Sequence, residues 1–212
     1  MNSSSKSFTE FQLNFLEKAF HAGAEDASVA MAQWLGVPSM IAIEAVDQLP
    51  IEEAPDILGG SEQPICFCSM AMTGTLTGTM VFVFDDECGL SLADLVLHNP
   101  VGTASAWNEL ERSSALESTN IVGCAYLNSL SRHLPAADSQ STELMPSPPT
   151  FRRDFAECLL QSVFMEQAMV ANDIFLAEAR FEISGEPLNW TLLFVPDAPS
   201  LAQLRKLLPD SD

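Results

Sequence analysis

Basic residues are scarce: nine Lys and Arg stand against 29 Asp and Glu in 212 residues, for a net charge of -20. A surface this acidic repels phosphate backbones and anionic lipids, which argues against nucleic acid and membrane surfaces as partners. It favours a partner with a basic face, through an attraction that salt weakens. Histidine is scarcer still, and His21, His98 and His133 share no metal-ligand spacing. Cys66-x-Cys68 has no second pair to complete a zinc site. The five cysteines, an odd number, lie within apolar segments and read as reduced core thiols of a cytoplasmic protein. No apolar run approaches the length of a membrane span. Neither a Gly-x-Ser-x-Gly elbow nor a phosphate-binding glycine loop occurs. Residues Met1 to Ser7 lead into an amphipathic stretch, so no signal peptide is expected.

The 47% of hydrophobic residues is ample for a sizeable core, in one domain or a duplicated one. Apolar spacing predicts a helix from about Thr9 to Leu35, stopped by Gly36-Val37-Pro38. A strand from Ser39 to Val46 and a short acidic helix at 52–58 follow. Strands at Ile65 to Thr73 and Thr79 to Phe84 should form a hairpin through Gly74 and Gly78, before a helix from Ser91 to Leu97. The second half repeats this order. It has a helix from about Ala106 to His133, a strand near Leu144, and a helix from about Arg152 to Ala171. Strands at Ile174 to Ser184 and Trp190 to Val195 turn at Gly185-Glu186-Pro187, and a helix from Ser200 to Leu208 closes the chain. Leu35 answers to Leu134, Gly74 to Gly185, and Ser91-Leu92-Ala93 to Ser200-Leu201-Ala202, at similar separations. The expectation is an α+β single domain over 1–212 with an internal pseudo-twofold repeat, the halves lying at about 8–100 and 105–208. Its antiparallel sheet should carry two long helices side by side on one face.

The stretch that carries chemistry is Ser113 to Ser131. From Ile121 to Leu130 it is apolar or small except at Asn128 and Ser129, so a buried helix is expected there. Before it, Glu117 and Asn120 share one helical face, with Ser113 a turn earlier on the same side. Two readings stand open on these residues alone. One is a carboxylate and a carboxamide displayed at a helix end. The other is an ordinary solvated first turn, for which Ser-x-x-x-Glu is common. Acid pairs such as Glu52-Glu53 and Asp85-Asp86 read as solvated faces or helix starts.

Ser113-x-x-x-Glu117-x-x-Asn120-Ile121, followed by small residues and Leu130-Ser131, resembles the signature of the CheC/CheX/FliY chemotaxis phosphatases. That pattern is Asp or Ser, three residues, Glu, two residues, Asn, and a proline about two dozen residues on. His21-Ala-Gly23-Ala-Glu-Asp-Ala27 and Gln33-Trp-Leu-Gly36-Val-Pro38 resemble a worn copy in the first helix. The hairpin Thr73-Gly74-Thr-Leu-Thr-Gly78 is similar to the family's as well. There are departures. Lys18 and His21 stand where a second Glu and Asn would be, so the first-helix site looks lost. Glu143 stands near the place expected for the proline, with Pro146 and Pro148 slightly beyond.

The resemblance implies a CheC-like fold and hydrolysis of the aspartyl phosphate on a CheY-type receiver domain in the cytoplasm. Asn120 would position the attacking water, and Glu117 would dock the receiver's active-site lysine. Ser113 would be at most a helper in binding. No cofactor of its own is implied, since the receiver brings its own magnesium. A CheD-type deamidase is a further implied partner. The resemblance leaves a second class of function open: a non-catalytic module that sequesters a receiver, regulates such a deamidase, or forms part of a flagellar switch.

Overall fold

The computed structural model of the chain describes residues 8–50, 53, 58, 63–135, 142–158, 173–183 and 185–209. Helix α1 spans Glu10–Leu35. Its start is set locally: Thr9 Oγ1 accepts from Gln12 N, while Gln12 Oε1 accepts from Thr9 N, each at 3.2 Å. Such a reciprocal cap contributes about 1 kcal/mol. Gly36, at φ 70°, ends the helix in the left-handed conformation that glycine adopts without steric penalty.

Strand β1 (Ser39–Pro50), β2 (Ile65–Gly74) and β3 (Gly78–Phe84) follow, then helix α2 (Asp86–Val96) and the second long helix, α3 (Glu109–His133). Further elements bounded within the described residues are β4 (Leu144–Pro146), β5 (Thr150–Asp154), β6 (Asp173–Ile183), β7 (Glu186–Pro196) and helix α4 (Ala198–Leu207). The seven strands among the described residues join one sheet in the order β1-β6-β7-β3-β2, and β2 pairs with both β4 and β5 along its outer edge. Every pairing is antiparallel. The α+β architecture expected from the sequence is the one observed, with the two long helices side by side on one face of the sheet.

Strand alternation decides which side chains meet the helices. Cys66, Cys68, Met70, Met72, Met80, Phe82, Phe84, Leu192 and Phe194 point into the large core shared with Leu16, Phe20, Met31, Tyr126 and Leu130 of the helices. Ile65, Phe67, Val81, Val83, Leu193 and Val195 form a smaller cluster on the opposite face. Glycine lets α1 and α3 approach closely: a Cβ at Gly23 would lie 2.6 Å from the Tyr126 ring and 3.1 Å from its Cα. Ser129 Oγ donates to the Ala19 carbonyl at 3.0 Å, and Arg132 pairs with Asp26 across the same seam.

Several sequence expectations require correction. Helix α2 begins at Asp86 rather than Ser91, because Asp85 caps it by accepting from Cys88 N at 2.7 Å. Residues 152–154, expected to open a helix, extend β5, and helical backbone begins at Ala156. The rest of that expected helix, and the acidic piece at 52–58 apart from residues 53 and 58, lie outside the described residues. The turn expected over Gly185 to Pro187 is tighter than that, with Ile183 facing Glu186 in register. Among the described residues no helix is long and apolar enough to cross a membrane.

Candidate functional site

Helix α3 is not apolar all round. Ser114, Ala115, Ser118, Thr119, Val122, Gly123, Ala125, Tyr126 and Leu127 are buried, but Ser113, Glu117 and Asn128 are exposed and Asn120 and Cys124 half-buried. These five follow one another at three- or four-residue spacing and make a single open stripe. The inward hydroxyls do not compete for the stripe: Ser118 Oγ donates to Ser114 O at 2.8 Å, and Ser114 Oγ to Leu110 O at 2.9 Å. Gly123 brings α3 down onto β2, since a Cβ there would lie 2.2 Å from Met70 Sδ. The stripe is therefore carried on a rod pinned from both sides.

The solvated-first-turn reading of Glu117 and Asn120 does not hold. The helix starts at Glu109, two turns before Glu117, and its opening donor, Asn108 N, bonds Glu111 Oε2 at 3.1 Å. Ser113, Leu116, Glu117 and Asn120 line an open cleft of about 400 Å³ whose other wall is Pro146-Ser147-Pro148-Pro149. That wall is tied to the sheet edge: Ser147 N donates to Ala71 O at 2.8 Å and Ser147 Oγ accepts from Ala71 N at 2.9 Å. Edge strands tolerate proline because their outward N–H groups need no partner. Glu143, where the proline was expected, sits instead beside the β2–β3 hairpin, its N donating to Thr75 Oγ1 at 3.0 Å.

Cys124 sits one turn below Asn120, with its Sγ 3.8 Å from Asn120 Oδ1. Burial and the nearby Glu117 charge push its thiol pKa up, so it stays protonated and can donate to that oxygen. Lys18 and His21 are exposed on α1, His21 Nε2 lying 3.7 Å from Glu17 of its own helix. All five cysteines are free; Cys66 and Cys68 are buried, but Cys88, Cys124 and Cys158 are only partly so. Among the described residues no group of three His, Cys, Asp or Glu side chains is placed to hold a metal ion.

Sequence reasoning missed the neighbouring cluster. Asp86, read as a solvated acid or a helix start, opens α2 but also accepts from Trp107 Nε1 at 2.8 Å, Arg153 Nη2 at 2.6 Å and Cys66 Sγ at 3.2 Å. The Arg153 guanidinium, then the indole and the thiol, hold its carboxyl down at about 2 although burial acts the other way. Trp107 is thereby fixed against Phe151, ring centres 4.7 Å apart, and against Phe84 at 6.2 Å. Buried Asp94 steadies the approach to α3 by accepting from Gly102 N, Thr103 N and Ala104 N at 2.8–3.0 Å. The one available signal was alternation: Phe151 and Arg153 share a strand face, which a helical reading of that segment conceals.

The Asp86 carboxyl lies below its unfolded value, so its stabilisation is complete above about pH 4 and lost as pH falls towards 2. Asp86→Asn is expected to lower neutral-pH stability by about 1–2 kcal/mol, discounted for partial exposure. Thermal melts of both proteins should converge between pH 4 and pH 2. A gap that stays constant across that window would show that the carboxylate charge is not what matters.

No protein-family model matches the chain. Over 199 residues, 92% of each chain, it is 25% identical to the CheY-P phosphatase CheC of Bacillus subtilis. In sequence the chain is CheC-like along nearly its whole length. The CheC-like chain also shares its fold with FliY of Thermotoga maritima, at TM-score 0.76 and 16% identity, over 96% of this chain and 98% of that one. A FliM middle domain from H. pylori aligns at TM-score 0.65 and 12% identity, covering 93% and 98% of the two chains.

Proposed function

We propose that this CheC-like chain hydrolyses the aspartyl phosphate of a CheY-type receiver domain, with Asn120 and Glu117 as the working pair. The observation that supports this reading most is that both side chains share one open stripe of a helix held rigid by packing. Loss of phosphate from an acyl phosphate passes through a loose transition state, so placing water in line matters more than removing its proton. The Asn120 amide oxygen accepts from the water while its nitrogen donates to a phosphoryl oxygen, with no added negative charge. As water bonds to phosphorus, the bond from phosphorus to the aspartyl oxygen breaks, and inorganic phosphate and a carboxylate leave. Glu117 pairs with the receiver's lysine and fixes the docking register. Ser113 lies at the rim of the same cleft, in reach of the docked partner. The receiver brings the magnesium, which neutralises phosphoryl charge during transfer.

The symmetric strand order about the β3–β7 pair supports the reading of the chain as two copies of one unit, the first with Lys18 and His21 in place of the pair. One working face per chain follows, and we assign it to the cytoplasm, where receivers are phosphorylated.

The test is phosphate release from phosphorylated receivers of the same genome mixed with purified protein. Acceleration by wild type, with Glu117→Ala raising KM roughly tenfold or more, is the expected result; no acceleration of any receiver overturns the reading. A second reading is a non-catalytic module acting by receiver sequestration, by control of a CheD-type deamidase, or within a flagellar switch. The FliM middle domain favours it to the extent that one fold hosts several functions. Stable receiver or deamidase complexes that ignore substitution of Glu117 and Asn120 would select it.

A further inference from the structure

A second cleft, of about 480 Å³, adjoins the first and runs on towards the start of α3. Ser113 and Leu116 line both clefts, so the two form one continuous surface. Arg112, Leu116 and Asn120 follow one another at four-residue steps, and eight residues of helix carry the row about 12 Å. Arg112 lines the second cleft, is exposed, and forms none of the ion pairs among the described residues. Lys18, Arg152 and Lys206 likewise form none of those ion pairs, but Arg112 is the cation that lines the cleft beside the candidate pair.

Arg112 is also held in position. Its guanidinium lies 5.8 Å from the centre of the Phe151 ring, and Phe151 is backed by Trp107, which Asp86 anchors. A cation resting on an aromatic face loses less freedom when a partner arrives than one waving in solvent. The flat face of a guanidinium can stack while its edge N–H groups bind a carboxylate at two points. The neighbours set the charge of that ligand. Glu109 lines the cleft and Glu117 the next one, so a phosphate dianion meets about twice the repulsion that one carboxylate does, and an anionic lipid surface more.

We infer that Arg112 forms a second docking subsite, which takes an Asp or Glu side chain of the same receiver whose phosphoryl group reaches Asn120. This rests on the phosphatase reading for its partner. Glu117 and Arg112 then present opposite charges along one helix, and a receiver must match both, a basic side chain against the first and an acidic one against the second. Together they fix the direction in which the partner lies along α3.

The experiment is the concentration dependence of phosphate release from a phosphorylated receiver, for wild type, Arg112→Gln and Arg112→Glu, at low and high salt. Arg112→Glu should raise KM about tenfold with kcat changed less than twofold, and Arg112→Gln should fall between. The salt dependence of KM should be shallower in both variants. A receiver carrying one Asp or Glu changed to Arg should bind wild type poorly and recover on Arg112→Glu. Unchanged KM in Arg112→Glu overturns the subsite, as does loss of kcat alone. Circular dichroism melts separate unfolding from a docking defect, and a KM rise that tracks a fall in Tm also overturns it. Should wild type release no phosphate, the phosphatase reading fails on its own. Binding of the beryllofluoride-activated receiver then tests the subsite: tenfold weakening by Arg112→Glu upholds it, and equal affinity overturns it.

Discussion

Asn120→Ala should lower the accelerated release of phosphate from the receiver by about a hundredfold or more, while affinity for the activated receiver changes by less than about threefold. Alanine removes both the oxygen that would hold water and the nitrogen that would hold a phosphoryl oxygen. The fold should barely notice. Asn120 is half-buried and its side chain meets only the Cys124 thiol, at 3.8 Å, among the hydrogen bonds of the described residues. Loss of a contact that long costs well under 1 kcal/mol, because hydrogen bonds weaken steeply beyond ordinary lengths. Asn120→Asp sharpens the test. It keeps the shape and the oxygen but adds a negative charge facing the phosphoryl group, so both rate and affinity should fall. Single-turnover release and equilibrium binding separate the two effects. Full activity in Asn120→Ala would refute the assignment of the amide, whatever happened to binding.

The second large effect is on stability. Gly23→Val is expected to destabilise the fold by about 2–3 kcal/mol, a fall of roughly 5–10 °C in Tm for a chain of this size. Two terms oppose each other. Valine is a better helix former than glycine by about half a kcal/mol, which favours the variant. Against that, a Cβ would lie 2.6 Å from Tyr126 Cδ1 and 3.1 Å from Tyr126 Cα, and valine adds two methyl groups beyond it. The ring cannot retreat easily, being buried with its centre 5.8 Å from that of Phe20. Backbone on the other side cannot give without separating the two long helices. Overpacking therefore wins. Differential scanning calorimetry would measure it, and a Tm equal to or above wild type would mean that the α1–α3 seam has slack.

Features set by neighbours in sequence were the ones legible without a structure. Thr9 and Gln12 cap α1 across three residues, Gly36 ends it, and Gly74 and Gly78 bound the β2–β3 hairpin. The two long helices, the sheet strands apart from β5, and the α+β class follow from such local signals together with apolar spacing. The three-residue step that puts Glu117 and Asn120 on one side of a helix is local in the same sense. Where a local pattern was ambiguous, the reading erred. Phe151-Arg152-Arg153 fits a helix start as well as a strand, and pairing with Cys68, Phe67 and Cys66 of β2 is what makes it β5.

Which side of α3 stays open is another matter. Ile121 to Leu130 carries too few polar residues to mark an outward stripe, and burial follows from where α1 and β2 close upon the rod at Gly23 and Gly123. The proline wall opposite Asn120 comes from the far edge of the sheet, and Asp86 meets Arg153 across 67 positions of chain. Sequence by itself determined the two long helices, the strands other than β5 and the spacing of an acid and an amide, because those depend on bonds and contacts within a few residues. Only the tertiary structure decided that the pair opens into a cleft beside Arg112, which forms no ion pair among the described residues. Such a surface exists only once strands distant in sequence have paired, and no short-range pattern encodes that pairing.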